Sequence, residues 1–129
     1  MSVNNHAVRL AEVGRRAEAV TVSQEAVDLR RELADLNRDA YLGGYVQSLA
    51  VSGHVLVADK RPREAVPALV EALVLGQELP EEAQGILGLI IDLLRQCYAV
   101  DAQVAADAFR AVTGQGVPEW MRQPPASGR

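Results

Sequence analysis

The chain has 129 residues, a formal net charge of −4 and a pI near 5.1, and 49% of its residues are hydrophobic while only 4% are aromatic. The acidic balance argues against general binding to nucleic acid or to acidic membranes. A single cysteine excludes an internal disulfide, so a reducing cytoplasm is the expected compartment. A core with so few aromatic rings must be built from Ala, Val and Leu, which favours closely packed helices within one domain.

The first third of the chain is predicted to form two helices. Apolar residues recur at a spacing of three and four over residues 2–13, which indicates a short amphipathic helix. Gly14 supplies the positive φ that a helix end often needs. A second helix is predicted over Arg16–Leu36. Its buried stripe is Ala19, Val22 or Ser23, Ala26, Leu29 and Leu33.

A connector is predicted over residues 37–44, because the adjacent glycines Gly43 and Gly44 are poor residues for a helix interior. The third helix is then expected over Tyr45–Ala58. A fourth helix, with Pro62 in its first turn, is expected to reach Leu79. Pro67 lies one turn inside it and predicts a kink or a late start.

The last third of the chain is predicted to form a third helix pair. Pro80 and the two acids after it mark the start of a fifth helix. Asp101 is placed to cap a sixth helix that Gly114 ends. The predicted apolar stripe of the fifth helix is Ile86, Leu89, Ile90, Leu93, Leu94 and Cys97. Residues 117–121 are expected to pack back on this pair, and Gln123–Arg129 to form a disordered tail.

Two stretches of the chain resemble each other. Residues 14–33 read GRRAEAVTVSQEAVDLRREL, and residues 60–79 read KRPREAVPALVEALVLGQEL. A shift of 46 residues aligns these identical pairs: Ser2/Ser48, Leu10/Leu56, Arg15/Arg61, Glu18/Glu64, Ala19/Ala65, Val20/Val66, Glu25/Glu71, Ala26/Ala72, Leu29/Leu75, Glu32/Glu78 and Leu33/Leu79. A period of this length is typical of helical repeat proteins.

The stretch SVNNHAVRLAEVGRRAEAVTVSQEAVDLRREL, followed by LNRDAYL, resembles tetratricopeptide repeats of the longer variety found in kinesin light chains and actinobacterial multi-repeat proteins. The matching positions are Val3, His6, Ala7, Leu10, Gly14, Ala19 and Ala26 in the first repeat, and Leu49, Ser52, Gly53, Leu56, Ala65 and Ala72 in the second. His6 and Ser52 depart from the large aliphatic residue usual in the family, and Lys60 replaces the turn glycine.

The resemblance implies an all-α fold, a right-handed superhelical stack of three antiparallel helix pairs. The repeats would span residues 2–36 and 45–79. A degenerate unit would follow at 81–113, with a capping segment at 114–122 closing a domain of residues 1–122. Each pair alone leaves an apolar face bare, and stacking covers it.

The resemblance also implies a concave groove lined by the first helix of each pair, where an amide can donate to and accept from an extended peptide backbone. The residues expected there are Asn4, Asn5, Val8, Arg9 and Glu12 on the first repeat and Gln47 and His54 on the second. The alternative is that Asn4 and Asn5 are ordinary polar residues of a first helical turn, and that His54 is a half-exposed residue without a role.

No nucleophile–base arrangement, metal-ligand cluster or phosphate-binding loop occurs, so no catalysis, metal or cofactor is expected. Cys97 lies on an apolar stripe and is expected to be a buried, inert thiol. Trp120 is expected to close the last pair, with partner anchoring as the alternative.

The predicted function is non-catalytic binding of a protein or peptide in the cytoplasm, with no nucleic-acid or membrane partner. The alternative is a self-association module of a larger signalling or NTPase-linked protein. It would form homo-oligomers through the N-terminal helix pair, whose first helix starts almost at Met1 without a cap before it.

Overall fold

The computed structural model describes Ala7, Arg9 and residues 14–126. Over these residues it is helical and contains no strand, which confirms the all-α class. The helices are α1 (Arg16–Leu36), α2 (Arg38–Ala58), α3 (Pro62–Gly76), α4 (Ile86–Val100), α5 (Ala102–Thr113) and α6 (Glu119–Arg122), with a 3₁₀ turn at Glu81–Ala83. Helices α1 to α5 each pack on the next one along the chain. No helix in the described ranges is long and apolar enough to cross a bilayer.

Helix α1 has the predicted bounds, but its buried stripe is narrower than predicted. Leu29 was expected in the stripe and is 52% exposed, so that prediction is wrong. Among the described helices, α1 packs extensively only on α2, so one side of it is covered. Its buried residues are Ala19, Ser23, Ala26, Val27 and Ala34.

The predicted connector before the third helix is wrong, because α2 starts at Arg38 and runs through both glycines. Only Asn37 separates α1 from α2, and its side chain accepts a hydrogen bond from the Ala40 N–H at 3.2 Å, which caps the helix. The packing of α2 against α1, α3 and α4 outweighs the poor helix propensity of the two glycines.

The boundary between α3 and α4 also differs from the prediction. Helix α3 ends at Gly76, three residues before Leu79, and its last turn tightens through a hydrogen bond from the Leu79 N–H to the Gly76 carbonyl. The acids after Pro80 begin a 3₁₀ turn, and α4 starts only at Ile86. Leu89, predicted to be buried on α4, is 51% exposed.

Local geometry repeats at the 46-residue shift. Gly14 (φ 84°) and its equivalent Lys60 (φ 59°) both adopt the left-handed conformation in the turn before a helix. Arg15 pairs with Glu18, and their equivalents Arg61 and Glu64 also pair. Exposed pairs of this kind add only tenths of a kcal/mol. Their recurrence indicates that α1 and α3 start in the same way.

The end of the chain packs back on α4. Val117 and Met121 are buried, as predicted. The Arg95 Nε donates to the Trp120 carbonyl at 2.8 Å, and the Ala126 N–H donates to Asp92 Oδ1 at 2.6 Å. Of the tail predicted to be disordered, residues 123–126 are described and 127–129 lie outside the described residues. Helix α5 packs more extensively on α3 than on α4, so the third pair is less regular than the second.

Small residues set the distance between α2 and α3. Gly53 is buried, and an added β-carbon would lie 2.5 Å from Leu69 Cγ, whose side chain is fully buried. At the 46-residue shift, Gly53 corresponds to Ala7 and Leu69 to Ser23. The second repeat thus has a smaller residue on one helix, where the larger Leu69 side chain of the next helix packs.

We expect Lys60→Gly to raise the free energy of unfolding by about 1 kcal/mol, because a non-glycine residue pays this much for the left-handed conformation. Urea denaturation measures the change. Lys60→Ala, which keeps a β-carbon, is the control, and an equal gain in that variant would contradict the explanation.

We expect Gly53→Ala to lower the free energy of unfolding by about 1–3 kcal/mol, because Leu69 has no free space to move into. Gly88→Ala on α4 is the matched control: Gly88 is exposed and its β-carbon would meet nothing within 4 Å. Alanine there should be neutral or stabilising by about 0.5–1 kcal/mol. Equal destabilisation of both variants would contradict the close approach at Gly53.

Candidate functional site

Helix α2 lies at the centre of the described structure, against α1, α3 and α4, and beyond its first turn most of its residues that are not buried lie on one narrow strip. We call this strip the α2 stripe. Its members recur at a spacing of three and four: Ala40, Gly43, Gln47, Val51, His54 and Ala58. The first three are exposed and the last three are half-buried. Such spacing puts all six side chains on one face of the helix.

The predicted groove residues are only partly within the described residues. Asn4, Asn5, Val8 and Glu12 lie outside them. Arg9 is helical and exposed. Gln47 and His54 both lie on the α2 stripe, about 10 Å apart along the helix axis. Neither side chain hydrogen-bonds to a described residue, so both present polar groups to solvent.

A small buried cluster connects the N-terminal segment with this part of α2. Ala7, Ala19 and Val55 are each fully buried and pack together, with Val51 at the edge of the cluster. Ala7 therefore lies beside the half of α2 that carries Val51 and His54.

A second concave surface lies between α1 and α3, with α2 as its floor. This α1–α3 groove has a volume of about 500 Å³. Its lining residues are Val20, Thr21, Gln24, Glu25, Asp28, Ser52, Leu56, Arg61, Glu64 and Ala68. At 100° per residue, Ser52 and Leu56 point roughly opposite to the α2 stripe. The groove and the stripe are therefore on different sides of the same helix.

The floor of the groove contains an unsatisfied polar group. Ser52 is 3% exposed, and its hydroxyl has no hydrogen-bond partner in the described part of the chain. On the rim, Glu25 has no ion-pair partner among the described residues, whereas Glu64 pairs with Arg61.

A three-residue contact links the helices about one turn beyond Asp28 and Ala68. The Arg31 Nε donates to Tyr45 Oη at 2.9 Å, and Tyr45 Oη donates in turn to the Glu71 carboxylate. The Arg31 guanidinium also lies 5.5 Å from the centre of the Tyr45 ring. Burial and the hydrogen bond to Glu71 raise the pKa of Tyr45. Because the residues come from α1, α2 and α3, the contact ties the three helices together.

Sequence reasoning missed the groove. The available signal was Ser52, which occupies a position where the repeat pattern has a large aliphatic side chain. A short polar residue there leaves space that a longer one would fill. The repeat pattern in the sequence did not show that α1 and α3 are separated on either side of Ser52.

The described residues hold no cluster of three or more His, Cys, Asp or Glu side chains able to bind a metal ion. Cys97 is fully buried, as predicted. Burial raises the pKa of its thiol to about 12. A thiol that stays protonated is a poor nucleophile.

Comparison with known proteins gives no relatives: no family model, no curated protein and no solved structure matches the chain.

We expect the protein to lose stability in alkali. The pKa of Cys97 is raised from 9.0 to about 12, so the folded state holds the thiol proton more tightly than the unfolded chain does. This stabilisation is fully present below pH 9 and is lost as the pH rises toward 12. Tyr45 acts in the same direction.

Urea denaturation at pH 8 and about pH 10.5 measures this loss. Cys97→Ala should be less stable at pH 8 because of the cavity, yet lose less stability on going to the higher pH. An identical pH dependence in the wild type and this variant would contradict the assignment to Cys97.

Proposed function

We propose that this chain is a non-catalytic binding module built like tetratricopeptide repeats, as a right-handed superhelical stack, and that it binds a protein or peptide in the cytoplasm through the α2 stripe. The observation that carries the proposal is the position of Gln47 and His54. Both are polar, neither has a partner among the described residues, and both lie on the α2 stripe of a helix with eleven buried residues.

Rigidity supports this role for α2. Eleven of its residues are buried, among them Val46, Leu49 and Val55. A helix fixed on most sides holds its exposed groups in place, so little conformational entropy is lost when a ligand binds. An isolated surface helix would lose more conformational entropy on binding.

The chemistry of the α2 stripe fits a peptide backbone. The Gln47 amide donates and accepts hydrogen bonds, and His54 does the same when neutral. The small residues Ala40, Gly43 and Ala58 let a main chain approach closely. Val51, between the two polar side chains, offers an apolar contact.

Peptides selected from a random display library against the wild-type protein test the proposal. We expect Val51→Arg and Gln47→Ala to weaken binding of the selected peptides about tenfold or more, because residues at the centre of an interface contribute most of the binding energy. Fluorescence anisotropy with a labelled peptide measures the affinity.

Val112→Arg is the matched control, because Val112 is 47% exposed on α5, away from the stripe. It should bind as the wild type does. Selected peptides that bind all the variants equally well would contradict a site on the α2 stripe.

Self-association is the second candidate function. Leu29 (52% exposed) and Leu36 (82% exposed) lie seven residues apart, on one face of α1. Helix α1 belongs to the predicted N-terminal pair, through which homo-oligomers were expected. Analytical ultracentrifugation of the wild type and of Leu36→Lys distinguishes the two functions: a wild-type dimer that the substitution dissociates favours self-association.

A further inference from the structure

The α1–α3 groove has the properties of a ligand site that peptide binding to the α2 stripe does not use. We propose that it binds a primary alkylammonium group, the chemistry shared by lysine side chains and free aliphatic diamines. The groove lies on the side of α2 opposite to the stripe. Ligand binding in the groove can therefore be tested separately from peptide binding to the α2 stripe.

The floor of the groove provides a hydrogen-bond acceptor. Ser52 lines the groove, is 3% exposed and has no hydrogen-bond partner in the described ranges. A serine hydroxyl has two acceptor lone pairs, and an ammonium group has three donors and no acceptor. A bound ammonium would donate to this hydroxyl, which has no protein partner among the described residues.

The charge of the rim selects a cation. Three carboxylates, those of Glu25, Asp28 and Glu64, line the groove against the single guanidinium of Arg61. Arg61 is already held by Glu64 and by Asp59, the latter at 3.5 Å. Glu25 has no such partner among the described residues. An anion would meet net repulsion, and a cation finds an available carboxylate.

The walls and size of the groove select an alkyl stem. Val20, Leu56 and Ala68 provide apolar contacts, and about 500 Å³ is within the range of small-ligand pockets. A lysine-like stem buries its methylenes on such walls while its charged end reaches polar groups. An ammonium suits one hydroxyl better than a guanidinium does, because the planar fork of arginine favours a bidentate partner.

Titration followed by two-dimensional ¹H–¹⁵N NMR tests the proposal with two amines, 1,5-diaminopentane and the N-methylamide of Nα-acetyl-lysine. We expect saturable shifts of the Ser52 and Glu25 amide resonances with at least one amine, and none with 1-pentanol, which has the stem without the charge. Tighter binding of the diamine identifies a free amine as the ligand source. Equal or tighter binding of the lysine derivative identifies a partner's side chain.

Two variants locate the site. Glu25→Gln should weaken amine binding about tenfold, because it removes a charge-assisted contact. Ser52→Ala, which keeps the groove open but removes the hydroxyl, should weaken it about threefold to tenfold. Glu82→Gln, an exposed carboxylate near α4, is the control and should bind as the wild type does.

Because Glu25 is exposed, its substitution leaves the buried core intact. Glu25→Gln therefore tests whether the amine binds in the α1–α3 groove even if Ser52→Ala folds poorly. The absence of saturable shifts with both amines would overturn the proposal. So would an affinity in Glu25→Gln equal to that of the control.

Discussion

The other helices are arranged around α2, which packs closely against α1, α3 and α4. The chain has few aromatic side chains, so it fills its core by bringing helices near one another at small residues. Gly53 makes room for Leu69 of α3. The contact of Arg31 and Glu71 with Tyr45 then ties α1 and α3 to α2 on the far side of the groove.

The two candidate sites are consequences of how this buried helix is surrounded. On one side no described helix covers the α2 stripe, so Gln47 and His54 remain available. On the other side α1 and α3 stand apart above Ser52, and the short side chain does not fill the gap. One rigid helix therefore presents two surfaces of different chemistry, a small and weakly polar strip and an acidic groove.

The sequence predicts the helices wherever local signals and packing agree. The bounds of α1, the Asp101 cap, and the left-handed turn at Gly14 follow from residue type alone. Gly43 and Gly44 misled the prediction, because their cost to a helix is local whereas the packing of α2 against its neighbours is a tertiary effect. Leu29 and Leu89 were misplaced since periodicity shows which side a residue faces, not whether another helix covers that side. The groove at Ser52 depends on the separation of two helices, which no spacing pattern encodes.

Native-state hydrogen exchange, measured amide by amide, would show whether α2 is one continuous helix from Arg38 to Ala58. We expect the amides from Leu42 through Val57, including Gly43 and Gly44, to exchange only through global unfolding, with a common high protection. Rapid exchange at Gly43 and Gly44, with protection beginning only at Val46, would contradict it, because the two glycines would then form a connector.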